Sequence, residues 1–245
     1  MELFPHNLER VSGTLTSMGD VRVPHGANAD YVVDQLGREW VRKKELETGF
    51  QPFLAEAFGA LFAMQLEVCV PDAAVYIEDD NRAWLSSLLH DVTHWDSAKL
   101  PFISNIEVLG PAFALDAILF NEDRHRGNIL LQSMDDDQDQ LQVWAIDMGN
   151  ALVGFPTDFF SLDKSIPDPR NLAPGIPVTR LEATAMETAQ RATTISKATI
   201  HQYAQEACAL VHEKTVDQYT DVLYLRCKSA TSIVSRYLAL IKSLR

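Results

Sequence analysis

The chain has 245 residues, 47% of them hydrophobic, and 34 acidic against 21 basic side chains give it a formal charge of −13. This length and apolar content suit a globular chain with a sizeable core, and no run reaches the roughly 18 to 20 uninterrupted apolar residues of a membrane helix. The negative charge opposes nonspecific binding to nucleic acid or anionic lipid, which rests on lysine and arginine neutralising phosphate, so neither nucleic acid nor membrane is an expected partner.

The opening Met1-Glu-Leu-Phe-Pro-His6 has no basic or apolar leader region, which points to the cytoplasm. Ser12, Gly13, Thr14 and the hydroxyl-bearing residues up to Ser17 read as a polar loop able to offer backbone N–H groups to an anion, although its glycines lack the G-x-G-x-x-G spacing. Residues 31–34 and 39–43 are β-prone runs joined near Gly37. Pro52 opens a helix that runs to Leu66 and carries Glu56, with proline at a permitted first-turn position. Residues 73–77 and 82–89 read as two further strands around the polar turn 78–81.

The character changes between residues 89 and 99, the expected boundary between two lobes. Residues 111–120 read as a helix, and 129–132 with 141–146 as a hairpin around the acidic run 135–139, taken as a solvated turn. Residues 155–177, rich in proline and aspartate, predict an irregular excursion. Residues 178–194, 197–212 and 229–244 predict helices, the last with Ile233, Val234, Tyr237, Leu238, Ile241 and Leu244 in one stripe. Cys69, Cys208 and Cys227 are scattered and odd in number, which disfavours disulfides and zinc alike. No Walker A motif is present.

The chemistry concentrates in Asp123-Arg-His125-Arg-Gly-Asn128, followed by a hydrophobic strand and then Asp147-Met-Gly149-Asn150. Phosphoryl transfer is mostly positioning and charge neutralisation. One carboxylate must take the proton of the attacking hydroxyl, a role suited to Asp123. An amide oxygen and a second carboxylate, those of Asn128 and Asp147, form a hard-oxygen set suited to Mg²⁺. Gly149 permits a tight turn beside that metal.

This segment resembles the catalytic and metal-binding segments of the HipA-like kinases, and it is also similar to the corresponding loops of phosphoinositide 3- and 4-kinases. The resemblance is sharp over residues 121–152. It implies an α+β, two-lobed protein-kinase-like fold, with a small β-rich N-lobe (1–92), a mostly helical C-lobe (93–245) and nucleotide between them. It also implies ATP and Mg²⁺, with Asp123, His125 and Asn128 in the catalytic loop, His125 as a support for its geometry. A phosphate-grasping cation from the N-terminal strands should pair with Glu56, and Lys43 is the choice. Arg42 and Lys44 share the opposite strand face, so a shift of one residue would exchange them. Ser12, Gly13 and Thr14 stand as the expected phosphate-binding lid.

The expected activity is transfer of the γ-phosphoryl group to a hydroxyl, that of a protein serine or threonine, including the chain's own. Rival readings are a lipid or small-molecule kinase and a nucleotide-binding pseudokinase that acts as an interaction module. The family likeness further implies an antitoxin or other regulatory protein as a partner.

Overall fold

In a computed structural model the structure describes residues 7–20, 29–44, 50–78, 81–134, 137–152 and 165–244. Strands β1 (Glu9–Val11), β2 (Thr16–Asp20), β3 (Ala29–Val33), β4 (Glu39–Lys44), β5 (Ala73–Glu78) and β6 (Asn81–Ser87) form one sheet in the order β1-β5-β6-β4-β3-β2. The β1–β5 pair is parallel and the others are antiparallel. The two outermost strands, β1 and β2, are joined only by residues 12–15. Five strand spacings would set the edges of a flat sheet about 24 Å apart, whereas five residues of extended chain reach only about 17 Å. The sheet therefore curls. Its inner face packs Val11, Val32, Trp40, Ala74, Tyr76, Ala83 and Leu85 into a small core, and Glu9 draws β1 towards the β3–β4 turn through a 2.6 Å ion pair with Arg38.

The outer face of this sheet meets helix α1 (Phe50–Leu66). Residues 53–63 of α1 are buried without interruption, as expected of a helix that is apolar all round. It stops at Glu67, in left-handed conformation, where the Val68 N–H returns to the Ala63 carbonyl at 2.9 Å. Phe53 meets Trp84 of β6 edge-on, with ring centroids 6.0 Å apart, and so ties α1 to the sheet.

Strand β7 (Val92–His94) begins a second sheet, ordered β7-β8-β9 with β8 (Ile129–Met134) and β9 (Asp137–Ala145). Between β7 and β8 runs helix α2 (Leu109–Leu119), buried at every position except Pro111. Helices α3 (Val178–Thr194), α4 (Lys197–Leu210), α5 (Val216–Lys228) and α6 (Ala230–Ser243) complete the C-terminal half. One continuous apolar core joins α1, α2, the second sheet and these helices. No helix among the described residues is long and apolar enough to cross a membrane.

The predicted α+β class is the one observed, and the strands at 31–34, 39–43, 73–77 and 82–89 differ from the observed ones only at their ends. Three strands and one helix were not foreseen: β1, β2, β7 and α5. The first expectation of a polar loop through Ser17 is corrected in part, because Thr16 and Ser17 belong to β2. Residues 165–177 of the predicted excursion are irregular apart from a short turn at Pro169–Asn171, and its earlier part, 155–164, lies outside the described residues. So do residues 135 and 136 of the acidic run and residues 79 and 80 of the polar turn.

Candidate active site

Strand alternation settles which cation faces the helix. In β4, Trp40 and Arg42 lie on the inner face of the curl, where Arg42 is engaged by Asp30. Lys43 therefore lies on the outer face, opposite Trp84 and towards α1. Its ammonium stands 2.6 Å from Glu56 Oε1 and 3.0 Å from Asp147 Oδ1. The second oxygen of Glu56 accepts the Met148 N–H at 3.0 Å. Glu56 thus binds the strand cation with one oxygen and the backbone beyond Asp147 with the other.

Charge and burial act together on this triad. Burial disfavours the Lys43 ammonium, but Glu56 and Asp147 outweigh it and hold its pKa above the ordinary lysine value. Burial raises the Glu56 carboxyl above its usual range, with Lys43 opposing the shift. Asp147 feels the same burial, yet Lys43 and the Gly149 N–H hold its carboxyl below the usual range. Lys43 is accordingly charged, and Asp147 ionised, throughout the neutral range.

The acidic segment is shaped by its own backbone. Asp147 adopts a left-handed conformation (φ 62°), which aspartate tolerates better than most residues. Its Oδ1 accepts the Gly149 N–H at 3.0 Å, and the Ala151 N–H closes the turn on the Met148 carbonyl at 2.8 Å. A Cβ on Gly149 would lie 3.1 Å from Asp147 Oδ1, so a side chain there would crowd that acid, while Glu56 Oε1, at 3.6 Å, would be in ordinary contact. Met148 is buried against α1, where a Cβ on Gly59 would come within 2.5 Å of the Met148 Cβ.

The other half of the site descends from α2. That helix ends at Phe120 in left-handed conformation, with the Asn121 N–H returning to the Asp116 carbonyl at 2.8 Å, and the chain turns out into residues 121–128. Asn121 Oδ1 accepts the Asp123 N–H at 3.1 Å, and Asn128 Nδ2 donates to the Asp123 carbonyl at 2.7 Å. The amide nitrogen of Asn128 is thereby committed to protein, which leaves its oxygen as the ligand atom. His125 is exposed. Its Nδ1 accepts the Gly127 N–H at 2.9 Å, and its Nε2 stands 3.8 Å from Asp123 Oδ2.

Arg124 binds the two halves together. Only 2% exposed, it is a buried charge and not a surface one. It donates from Nε and Nη2 to the two oxygens of Asp116, each at 2.8 Å. Its Nη1 reaches the carbonyls of Asn128, at 2.9 Å, and of Ile146. The Ile146 N–H donates to the Asn128 carbonyl at 3.1 Å, and Ile129 pairs with Ala145, so Asn128 and Asp147 lie at adjoining ends of neighbouring strands. Their donor set, one amide oxygen and one carboxylate with a cation alongside, fits a hard divalent ion that takes its remaining ligands from phosphate and water.

The structure does not bring Ser12, Gly13 and Thr14 to this cluster. Thr16 pairs with Val33, and Gly13 backs onto Gln35 in the β3–β4 turn. Lys43 pairs with Ala29 at the other end of β3, four residues or about 13 Å away along the strand. The cause is the antiparallel pairing of β2 with β3, which starts β2 at Thr16 beside Val33 and so leads the 12–15 link to the end of the sheet away from Lys43. One group at the site had no role assigned from sequence: Asn150, whose Nδ2 lies 2.5 Å from Asp123 Oδ2. A hollow of about 510 Å³ lined by Lys197, His201, Asp217, Thr220 and Asp221 shares no residue with these groups.

No family model matches the sequence, and no curated protein does. The fold, however, is that of the HipA-like kinases. It is similar to the proinflammatory kinase CtkA of Helicobacter pylori, with a TM-score of 0.62 at 10% identity over 98% of this chain and 99% of that one. It is also similar to HipA of Shewanella oneidensis MR-1, solved in a toxin–antitoxin complex with HipB and operator DNA. That TM-score is 0.52 at 11% identity, over 91% of this chain and 68% of the other. The Golgi casein kinase with Mn/ADP bound gives 0.50 at 12% identity, over 94% and 74%.

Proposed function

We propose that this chain is an ATP-dependent kinase of the HipA-like type, which transfers the γ-phosphoryl group of Mg-ATP to serine or threonine hydroxyls of a protein, its own among them. One observation carries the reading: Lys43, Glu56 and Asp147 meet in one cluster, and Arg124 fastens that cluster to the loop bearing Asp123 and Asn128. In this reading residues 1–92 act as the N-lobe and 93–245 as the C-lobe, with the nucleotide between them.

Each side chain then has a task. Lys43, fully charged between two acids, binds phosphate oxygens, and Glu56 keeps it aimed while gripping the Met148 backbone. Asn128 and Asp147 would hold the magnesium, which supplies positive charge against the phosphate oxygens when bound. Asp123 accepts the proton of the acceptor hydroxyl as its oxygen attacks phosphorus. His125 keeps the catalytic loop in shape through the Gly127 N–H. The kinship in fold with HipA makes a regulatory protein of antitoxin type a partner to look for.

The test is Asp123→Asn. Mg-ATP should still raise the melting temperature of the variant, while transfer of labelled phosphate falls roughly 10²- to 10⁴-fold. Mass spectrometry of the wild-type protein after incubation with Mg-ATP should find phosphate on serine or threonine. Label in added lipid vesicles instead, or stabilisation by Mg-ATP without any turnover, would overturn the proposal in favour of a lipid kinase or a pseudokinase respectively.

A further inference from the structure

We infer that Asn150 is a positioning residue for phosphoryl transfer: its amide holds one oxygen of Asp123, so that the other is presented to the acceptor hydroxyl. This rests on the kinase reading above.

An ionised carboxylate only accepts hydrogen bonds, so it is the amide nitrogen of Asn150 that faces Asp123 Oδ2, at 2.5 Å. His125 Nε2 approaches the same oxygen, at 3.8 Å. Among the described residues no protein donor reaches Oδ1. The two oxygens are thus unequal, one held by protein and the other available for the proton that must be taken.

Asn150 is not needed for the local fold. The turn it occupies is closed by Gly149 N–H to Asp147 Oδ1 and by Ala151 N–H to the Met148 carbonyl, and neither bond uses its side chain. The residue is exposed, so water would satisfy its amide equally well. What the contact does accomplish is registration. The turn that carries Asp147 reaches back across 27 residues to the carboxylate of Asp123, so the metal-binding acid and the proton acceptor are set at a fixed offset. In the reaction the acceptor O–H bond breaks, and its proton passes to Asp123 Oδ1. The freed electron pair forms the new O–P bond while the bond from γ-phosphorus to the bridging oxygen breaks, and that oxygen leaves with its electrons on ADP. A carboxylate free to rotate would offer either oxygen at the wrong angle, and misplacement on the scale of 1 Å lowers such rates up to about 100-fold.

The experiment is steady-state kinetics with Mg-ATP on Asn150→Ala, Asn150→His and Asn150→Asp. Asn150→Ala should lower kcat roughly tenfold to a hundredfold with KM for ATP and the melting temperature unchanged. Asn150→His should restore much of the loss, because its Nδ1 stands the same number of bonds from the backbone as the amide nitrogen. Asn150→Asp should be worse than alanine, since it sets a like charge against Asp123. A wild-type kcat for Asn150→Ala, a change confined to KM for ATP, or a histidine variant no better than alanine would each overturn the inference and leave the kinase reading standing. A wild-type protein that transfers no phosphate would overturn both.

Discussion

Replacing Asp116 by alanine removes the only carboxylate paired with Arg124 among the described residues, in a setting where neither partner has access to water. Asp116 is 0% and Arg124 2% exposed. Asp116 accepts two bonds from the guanidinium and a third from Asn121 Nδ2 at 2.7 Å. Burial works against the Arg124 charge, and Asp116 is the main group that sustains it. Breaking a buried pair from one side typically destabilises by about 3–5 kcal/mol, and the carbonyls of Asn128 and Ile146 remain as partial compensation, so a value near 3 is expected. For a chain of this size about 1 kcal/mol moves the melting temperature by roughly 2–4 °C. Asp116→Ala should therefore melt about 6–12 °C below the parent, measured by circular dichroism, with a matching fall in urea midpoint at unchanged m. Removing both charges, as in Asp116→Leu with Arg124→Met, should recover most of that loss. It should not recover phosphoryl transfer, because the link between the Asn128 and Ile146 carbonyls is gone. A single variant melting within about 2 °C of the parent, or a double variant as unstable as the single, would refute the reasoning.

Two further outcomes follow from the site. Gly59→Ala sets a methyl against Met148, and overpacking of this kind destabilises by about 1–3 kcal/mol. Combining it with Met148→Gly, which removes both the Cβ at 2.5 Å and the Cγ at 2.6 Å from the added methyl, should give less than the sum of the two effects, read as a coupling term in a double-mutant cycle. The acid limb of stability should depend on Asp147. Its native pKa is held below the ordinary carboxylate value, so its contribution is present above about pH 4 and is lost as pH falls through the native value. Asp147→Asn should flatten that part of a stability–pH curve, and an unaltered acid limb would show that another group carries it.

That the runs at 121–128 and 147–150 belong together was legible because each is short, and the structure sets them side by side through Arg124 and the Asn150–Asp123 contact. Lys43 was legible for a different reason, since period-two alternation separates it from Arg42 and Lys44 once the strand is placed. Asp116 had a readable signal that passed unused: a lone acid in the otherwise apolar run Leu109–Leu119 must find a partner, and Arg124 lies eight residues on. Helix α5 also carried a signal in Tyr219, Val222, Leu223, Arg226 and Cys227, all buried and helically spaced, but its polar and β-branched residues masked it. The placement of Ser12, Gly13 and Thr14 was not legible. It depends on the direction and register of β2 along β3, and the short polar run of β2 contains nothing that names its neighbour or its register.

The bond from Met148 N–H to Glu56 spans 92 residues of sequence. Closing so long a loop carries an entropic penalty of about 4 kcal/mol before any local gain is counted, so this contact belongs to the late stages of folding. A nascent chain that has released only its first sheet and helix holds the Lys43–Glu56 pair and lacks Asp147, the second acid of the cluster. The proposed activity should thus emerge with the last cooperative step of maturation, and its loss on mild denaturant should report opening of the molecule before most secondary structure has melted.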